Sequence, residues 1–241
     1  MRQAADARAA PLIARVPAAL PASTFTRVRG MLFVLALAPF ARLVWLAATD
    51  GLGANPVEFV VRSLGTWTLV LMCITLAVTP LRWATGWAWV VRLRRMFGLF
   101  TFFYATLHLI AVAGIDLAFD WAAIVKDIAK RPFITVGFAA YALLIPLAAT
   151  STNAMARRLG GRNWQRLHRL VYVIALLAIV HYWWHKAGKN DFAQPTVYAL
   201  IVGLLLGVRV VRWVNARRPA PQGSTDSPAK SSSTRSRRRT Q

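Results

Sequence analysis

The chain has 241 residues, 57% of them hydrophobic, with ten tryptophans, a formal net charge of +22 and a mean hydropathy of +0.46. A soluble domain of this length needs neither so apolar an average nor so many indoles, whereas a membrane protein with basic loops has both. The single cysteine, Cys73, lies inside an apolar run, which excludes an internal disulfide and any zinc or iron–sulfur site built from cysteines. The charge does not point to nucleic acid. The Lys and Arg residues fall in loops between apolar spans rather than on one soluble face, where they set topology and meet anionic lipid.

Residues 1–30 carry Arg2, Arg8, Arg15, Arg27 and Arg29 among Ala and Pro and read as a disordered basic arm; no small-residue cleavage site follows the first apolar run, so a cleaved signal is not expected. Six spans follow, at 31–49, 64–81, 97–115, 133–150, 167–185 and 195–214, each near the length a bilayer requires. The predicted fold is an all-α membrane protein, a six-helix bundle over residues 31–214. The arm, the loop with Arg82, Arg92, Arg94 and Arg95, the loop with Arg157, Arg158, Arg162 and Arg166, and the C-terminal end hold nearly all the basic residues. The alternate loops hold six acids: Asp50, Glu58, Asp116, Asp120, Asp127 and Asp191. Short basic loops stay inside, so both termini are expected to be cytoplasmic. Residues 215–241, rich in Ser, Pro, Arg and Lys, read as a disordered basic tail. No G-x-G-x-x-G follows a strand, so a redox protein of this build takes its electrons from a separate donor.

Of the four histidines, His108 lies roughly 17 Å deep and His181 about 20 Å deep, counting inward from the basic side at helical rise. An imidazole at that depth marks a functional site by default. The bland alternative is hydrogen bonding between helices or a watered cavity. Two rings at matching depth, with His168 at the entrance of the same helix, favour ligation. No carboxylate lies within the predicted spans to build a di-iron or facial-triad site, and neutral imidazoles in an apolar setting suit b-type haem. Gly98, Ala105 and Gly114 are expected to leave room for it. On an ideal helix the thirteen residues from His168 to His181 put them some 140° apart around the axis. Either that helix is distorted, or two haems attach on different sides. His185, at the outer interface, ranks below His181 as a ligand. Arg42 either snorkels to the outer surface or pairs with a haem propionate. Arg94, Arg95, Arg166 and Arg169 enforce topology, and some are candidates for inner propionates or a flavin phosphate.

The stretches Pro39-Phe40-Ala41-Arg42-Leu43-Val44-Trp45, Gly51-Leu52-Gly53-Ala54-Asn55-Pro56, Gly65-Thr66-Trp67-Thr68, Thr79-Pro80-Leu81-Arg82, Arg94-Arg95-Met96-Phe97-Gly98-Leu99, Leu107-His108-Leu109, Arg131-Pro132-Phe133-Ile134-Thr135, Thr150-Ser151-Thr152-Asn153, Trp164-Gln165-Arg166-Leu167-His168 and His181-Tyr182 recur in this order in a known family. Over residues 31–214 the sequence resembles the bacterial MsrQ (YedZ) family. These are haem-binding membrane subunits of the periplasmic methionine sulfoxide reductase system, within the ferric-reductase-like transmembrane superfamily. The resemblance implies an electron-transfer subunit rather than a catalytic one, in the bacterial inner membrane. It would carry electrons from the quinone pool, with FMN associated, to a periplasmic molybdopterin-containing subunit that repairs oxidised methionine in proteins. It implies one or two b haems, with ligand positions at His108, His168 and His181. Arg94 stands one haem-spacing before His108, where an inner haem's second histidine would be sought.

Two other readings are weighed: a stand-alone ferric or quinone reductase, and a haem-free transporter whose histidines relay protons. Pro39 and Pro146 hint at broken helices, but the spans lack the acids of a proton relay. The outer loops 50–62, 116–131 and 186–194 are the expected docking surface, with Asp116, Asp120 and Asp127 contributing.

Overall fold

The computed structural model describes residues 20–188 and 190–217, so most of the N-terminal arm, Lys189 and most of the C-terminal tail lie outside the described residues. Helix α1 spans Ala22–Ala48, α2 Pro56–Thr85, α3 Arg94–Ile110, α4 Trp121–Lys130, α5 Pro132–Ala149, α6 Asn153–Leu159, α7 Gly161–His168, α8 Leu170–Ala187 and α9 Ala193–Arg217. Among the described residues there is no strand. Six rods are long and apolar enough to cross a membrane, with α7 and α8 forming one of them.

Local chemistry sets the ends. Pro56 and Pro132 open α2 and α5 at positions where no helical donor is lost. Asn55 caps α2 by accepting from the Glu58 amide at 3.3 Å, and Gly86 ends it in the left-handed conformation at φ 76°. Asp120 caps α4 through the amides of Ala122 and Ala123, at 2.9 and 3.1 Å.

Several boundaries differ from those read in the sequence. Helix α1 begins at Ala22, not Met31, because nothing between Pro21 and Met31 breaks a helix except Gly30, which faces open space. Helix α2 begins at Pro56, so Glu58 lies in its first turn, where the helix dipole favours a carboxylate. Helix α9 runs on to Arg217, a cation that suits the dipole's negative end. The outer stretch 116–131 contains a helix, α4.

Helices α2, α3, α5, α8 and α9 form a closed ring, each packed on the next and α9 back on α2; α1 lies outside against α2 and α3. Large apolar side chains on the outside, such as Val34, Trp45, Leu200 and Leu204, are exposed, as lipid-facing surfaces require. The ring interior is packed with Leu69, Met72 and Leu76 of α2, Ala105 of α3, Leu144 of α5, Ile174 and Ala175 of α8 and Val202 of α9. Helix α1 is joined to α3 by Tyr104, which is fully buried. Its hydroxyl donates to the Ala36 carbonyl at 2.8 Å and accepts from the Phe40 amide at 3.1 Å, so it sits inside the helical ladder of α1 beside Pro39.

Candidate haem site

His108 lies in the last turn of α3, just before a π-helical turn at Ala111–Asp116; widened turns of this kind are frequent at functional sites. Its Nδ1 lies 2.9 Å from the carbonyl of Val61 on α2. His181, on α8, has its Nδ1 2.6 Å from the carbonyl of Phe133 on α5. A carbonyl only accepts, so both Nδ1 atoms carry the proton and both Nε2 atoms keep a lone pair. Metal-binding histidines adopt this arrangement, with the other ring N–H held by a backbone carbonyl.

The two rings stand 6.4 Å apart between centroids at an interplanar angle of 79°. Metal–imidazole bonds of about 2 Å, added to roughly 1.1 Å from each ring centre to its nitrogen, place centroids about 6 Å apart around one ion. The backbones of α3 and α8 make little direct contact, so the rings meet across a gap rather than through packed helices. Among the described residues no three His, Cys, Asp or Glu side chains converge. A pair of imidazoles suits an iron whose remaining ligands come from a macrocycle.

The recesses that hold the rings come from glycines on the neighbouring helices. A Cβ on Gly65 would lie 3.1 Å from Cε1 of His108, and a Cβ on Gly137 only 2.6 Å from Nδ1 of His181. Of the residues expected to leave room, Gly98 faces Thr75, a Cβ on Gly114 would strike the Phe119 ring at 2.7 Å, and Ala105 packs in the ring interior. Neither Gly65 nor Gly137 was identifiable from sequence as a site residue. An isolated glycine within a helical pattern is the only signal, since the carbonyl acceptors four residues earlier are recorded by no sequence letter.

His168 lies apart from this pair, toward the other end of the bundle. The rod is interrupted by a single residue, Arg169, between α7 and α8, with φ −69° and ψ −17°. The His168 Nδ1 donates to the Trp164 carbonyl at 3.0 Å, and its ring stacks on the Trp164 indole at 3.9 Å. The indole is anchored in turn, donating to the Thr150 carbonyl at 2.8 Å. The His168 Nε2 is buried without a hydrogen-bond partner. With the proton on Nδ1, a nearby carbonyl such as that of Leu147 cannot satisfy that lone pair; a metal or a donor can. Arg94 and Arg95 lie within electrostatic reach of His168.

The remaining candidates divide. His185 is exposed and packs on Phe133, with centroids 5.6 Å apart, at the rim of the His108–His181 pair. Arg42 is exposed and lines an outer cleft of about 510 Å3 with Arg62, Glu58 and Gln194.

Residues 64–179 match the family described as ferric reductase like transmembrane component, a stretch that contains His108 and His168 and ends just before His181. The chain is 62% identical over 209 residues to the protein-methionine-sulfoxide reductase heme-binding subunit MsrQ of Ralstonia nicotianae, covering 86% of this chain and 96% of that one. It is 60% identical to the protein of the same name from Herminiimonas arsenicoxydans (80% and 88% covered) and 56% identical to that from Bordetella pertussis (85% and 100%). With identity of this degree over most of the chain and nearly the whole length of such relatives, the chain belongs to the MsrQ family.

Proposed function

We propose that the chain is the haem-carrying membrane subunit of a protein-methionine-sulfoxide reductase, with b haem held between His108 and His181. The observation that carries this reading is the pairing of those rings, each with Nδ1–H committed to a backbone carbonyl and Nε2 left to bind. The names of the relatives, which call them heme-binding subunits, support it. Haem supplies a reversible one-electron couple at iron. The chain's own part is to hold both imidazoles in one tautomer, raise their basicity through the Val61 and Phe133 carbonyls, and surround them with apolar side chains that exclude water.

His168, with its buried lone pair and neighbouring Arg94, is the second site, for an inner haem or for the relay from flavin mononucleotide. Arg94 supplies charge for a propionate or phosphate. At the other end Arg42, with Arg62 across the cleft, is placed for an outer propionate. The basic loops support an orientation with the His168 end and both termini on the cytoplasmic side of the bacterial inner membrane. Electrons then run from the quinone pool at the His168 end to a periplasmic molybdopterin-containing subunit at the His181 end. That subunit docks on the outer loops. There Asp120 also caps α4 and Asp127 pairs with Arg131 at 3.4 Å, and the Asp116 side chain lies outside the described residues.

The experiment is a reduced-minus-oxidised spectrum of the purified chain and three variants. Wild type shows b-type bands; His108→Ala and His181→Ala lose the same component; His168→Ala retains it. A haem-supplied wild type with no such bands overturns the reading. The ferric-reductase-like match favours a second reading, direct reduction of small acceptors. Equal rates to chelated iron and to the periplasmic subunit would select it.

A further inference from the structure

At the end of the bundle that carries His168, α2 and α9 enclose a groove of about 570 Å3 lined by Trp83, Arg209, Arg212, Trp213, Asn215 and Ala216. Its cations are fixed in place but not neutralised. Arg209 donates to the carbonyl of Leu205 on its own helix at 2.5 Å and reaches across to that of Leu76 on α2. The Arg212 guanidinium lies 4.7 Å over the Trp83 ring, and that of Arg217 3.6 Å over Trp213. Carbonyls and ring faces orient these groups and leave their charge uncompensated. Among the described side chains the acids are Asp50, Glu58, Asp120, Asp127 and Asp191, and all lie at the opposite end of the bundle.

An apolar track leads into the groove. Leu200, Leu204, Val208 and Val211 are all exposed and, at spacings of four, four and three residues, share one face of α9 that ends at Asn215. A lipid-facing track that reaches the rim of the groove at Arg212 and Asn215, one turn beyond Val208 and Val211, fits a molecule with an acyl tail and an anionic head. Arginine suits the phosphodiester, and the indoles belong at the headgroup level. We infer that the groove formed by Trp83, Arg209, Arg212 and Trp213 is a binding site for the headgroup of an anionic phospholipid. The acyl track commits the site to lipid rather than to free phosphate. The inference is independent of haem binding.

The test is native mass spectrometry of the full chain in detergent, titrated with dioleoyl phosphatidylglycerol, dioleoyl phosphatidylcholine or inorganic phosphate. One phosphatidylglycerol is retained in preference to phosphatidylcholine, and inorganic phosphate does not displace it. Arg212→Gln weakens phosphatidylglycerol binding about fivefold, the worth of one basic contact near a membrane surface, and Arg212→Lys restores part of it. Equal retention of the two lipids, displacement by phosphate, or unchanged binding in a helical, folded Arg212→Gln protein overturns the proposal. Should Arg212→Gln fail to fold, the wild-type preference between the two lipids decides.

Discussion

A Cβ placed on Gly137 would stand 2.6 Å from Nδ1 of His181, closer than side chains come without something shifting. Gly137 lies one turn beyond Phe133, whose carbonyl receives that Nδ1–H. The same relation recurs on α2, where Gly65 lies one turn beyond Val61, the acceptor for His108. In an α-helix the carbonyl at i points toward residue i+4, so a missing side chain at i+4 opens that carbonyl to a second donor from the side. Each imidazole uses one such opening, and the recess fixes both its position and its tautomer.

Gly137→Ala and Gly65→Ala therefore differ in outcome. Alanine gains about 1 kcal/mol over glycine in a helix, and overpacking costs about 1–3 kcal/mol. At Gly65 the nearest ring atom is at 3.1 Å and a few tenths of an ångström of movement restores contact, so Gly65→Ala is close to neutral in thermal stability. At Gly137 the overlap falls on the imidazole itself, and Gly137→Ala loses the His181-dependent haem band. Haem absorbance per polypeptide and a melting curve in detergent, run on both variants, check this order.

Tyr104→Phe removes the hydroxyl inserted between Phe40 N–H and the Ala36 carbonyl. The two hydrogen bonds that tie α3 to α1 are lost, while Phe40 N–H and the Ala36 carbonyl, four residues apart, can pair within α1, so the net cost is about 0.5–1.5 kcal/mol. Helix α1 loosens from α3 while the haem spectrum is kept. Hydrogen exchange at Phe40, compared between the two proteins, reads the effect.

The α8–α9 turn is held by Lys186, whose side chain is only 3% exposed, donating to Asp191 at 2.5 Å. The hydrogen bond from Lys186, then its charge, holds the Asp191 carboxyl below its ordinary value. A depressed carboxylate contributes stability above its unfolded pKa, near 3.8, and loses it as pH falls through the lower folded value. The turn therefore stays closed through the ordinary carboxylate range and opens as pH falls through the lower folded value. Asp191→Asn opens it at neutral pH by leaving Lys186 buried without its carboxylate. Limited proteolysis at 187–192 across a pH series measures both.

His168→Ala removes the only ring stacked on Trp164 among the described residues. The outer bands stay, and the indole of Trp164, still donating to Thr150, gains solvent access. Quenching of Trp164 fluorescence by acrylamide, measured against a Trp164→Phe reference, rises in the variant; an unchanged quench would place the ring elsewhere.

What the sequence could reveal depended on whether the signal was local. The matching depths of His108 and His181 follow from counting along separate rods, and the structure brings the two rings together. The angle of about 140° between His168 and His181 leaves a distorted helix or two sites as options; the structure has a one-residue break at Arg169, and the two rings bond carbonyls on different helices. Helix α4 falls in a stretch expected to be an outer loop, although Asp120 is a cap and Ile124, Val125 and Ile128 follow at helical spacing; ten residues between charged flanks are too short a pattern. The recess glycines escaped because the meaning of a missing Cβ depends on what faces it across the bundle. Gly98 and Gly65 look alike in sequence, and only one faces an imidazole.

The most direct measurement is electron paramagnetic resonance of the oxidised, haem-replete chain. Two neutral imidazoles with planes 79° apart predict a low-spin ferric signal of strong anisotropy, abolished equally in His108→Ala and His181→Ala. A high-spin signal in the wild type, or a low-spin signal that survives either substitution unchanged, would contradict ligation between these two helices.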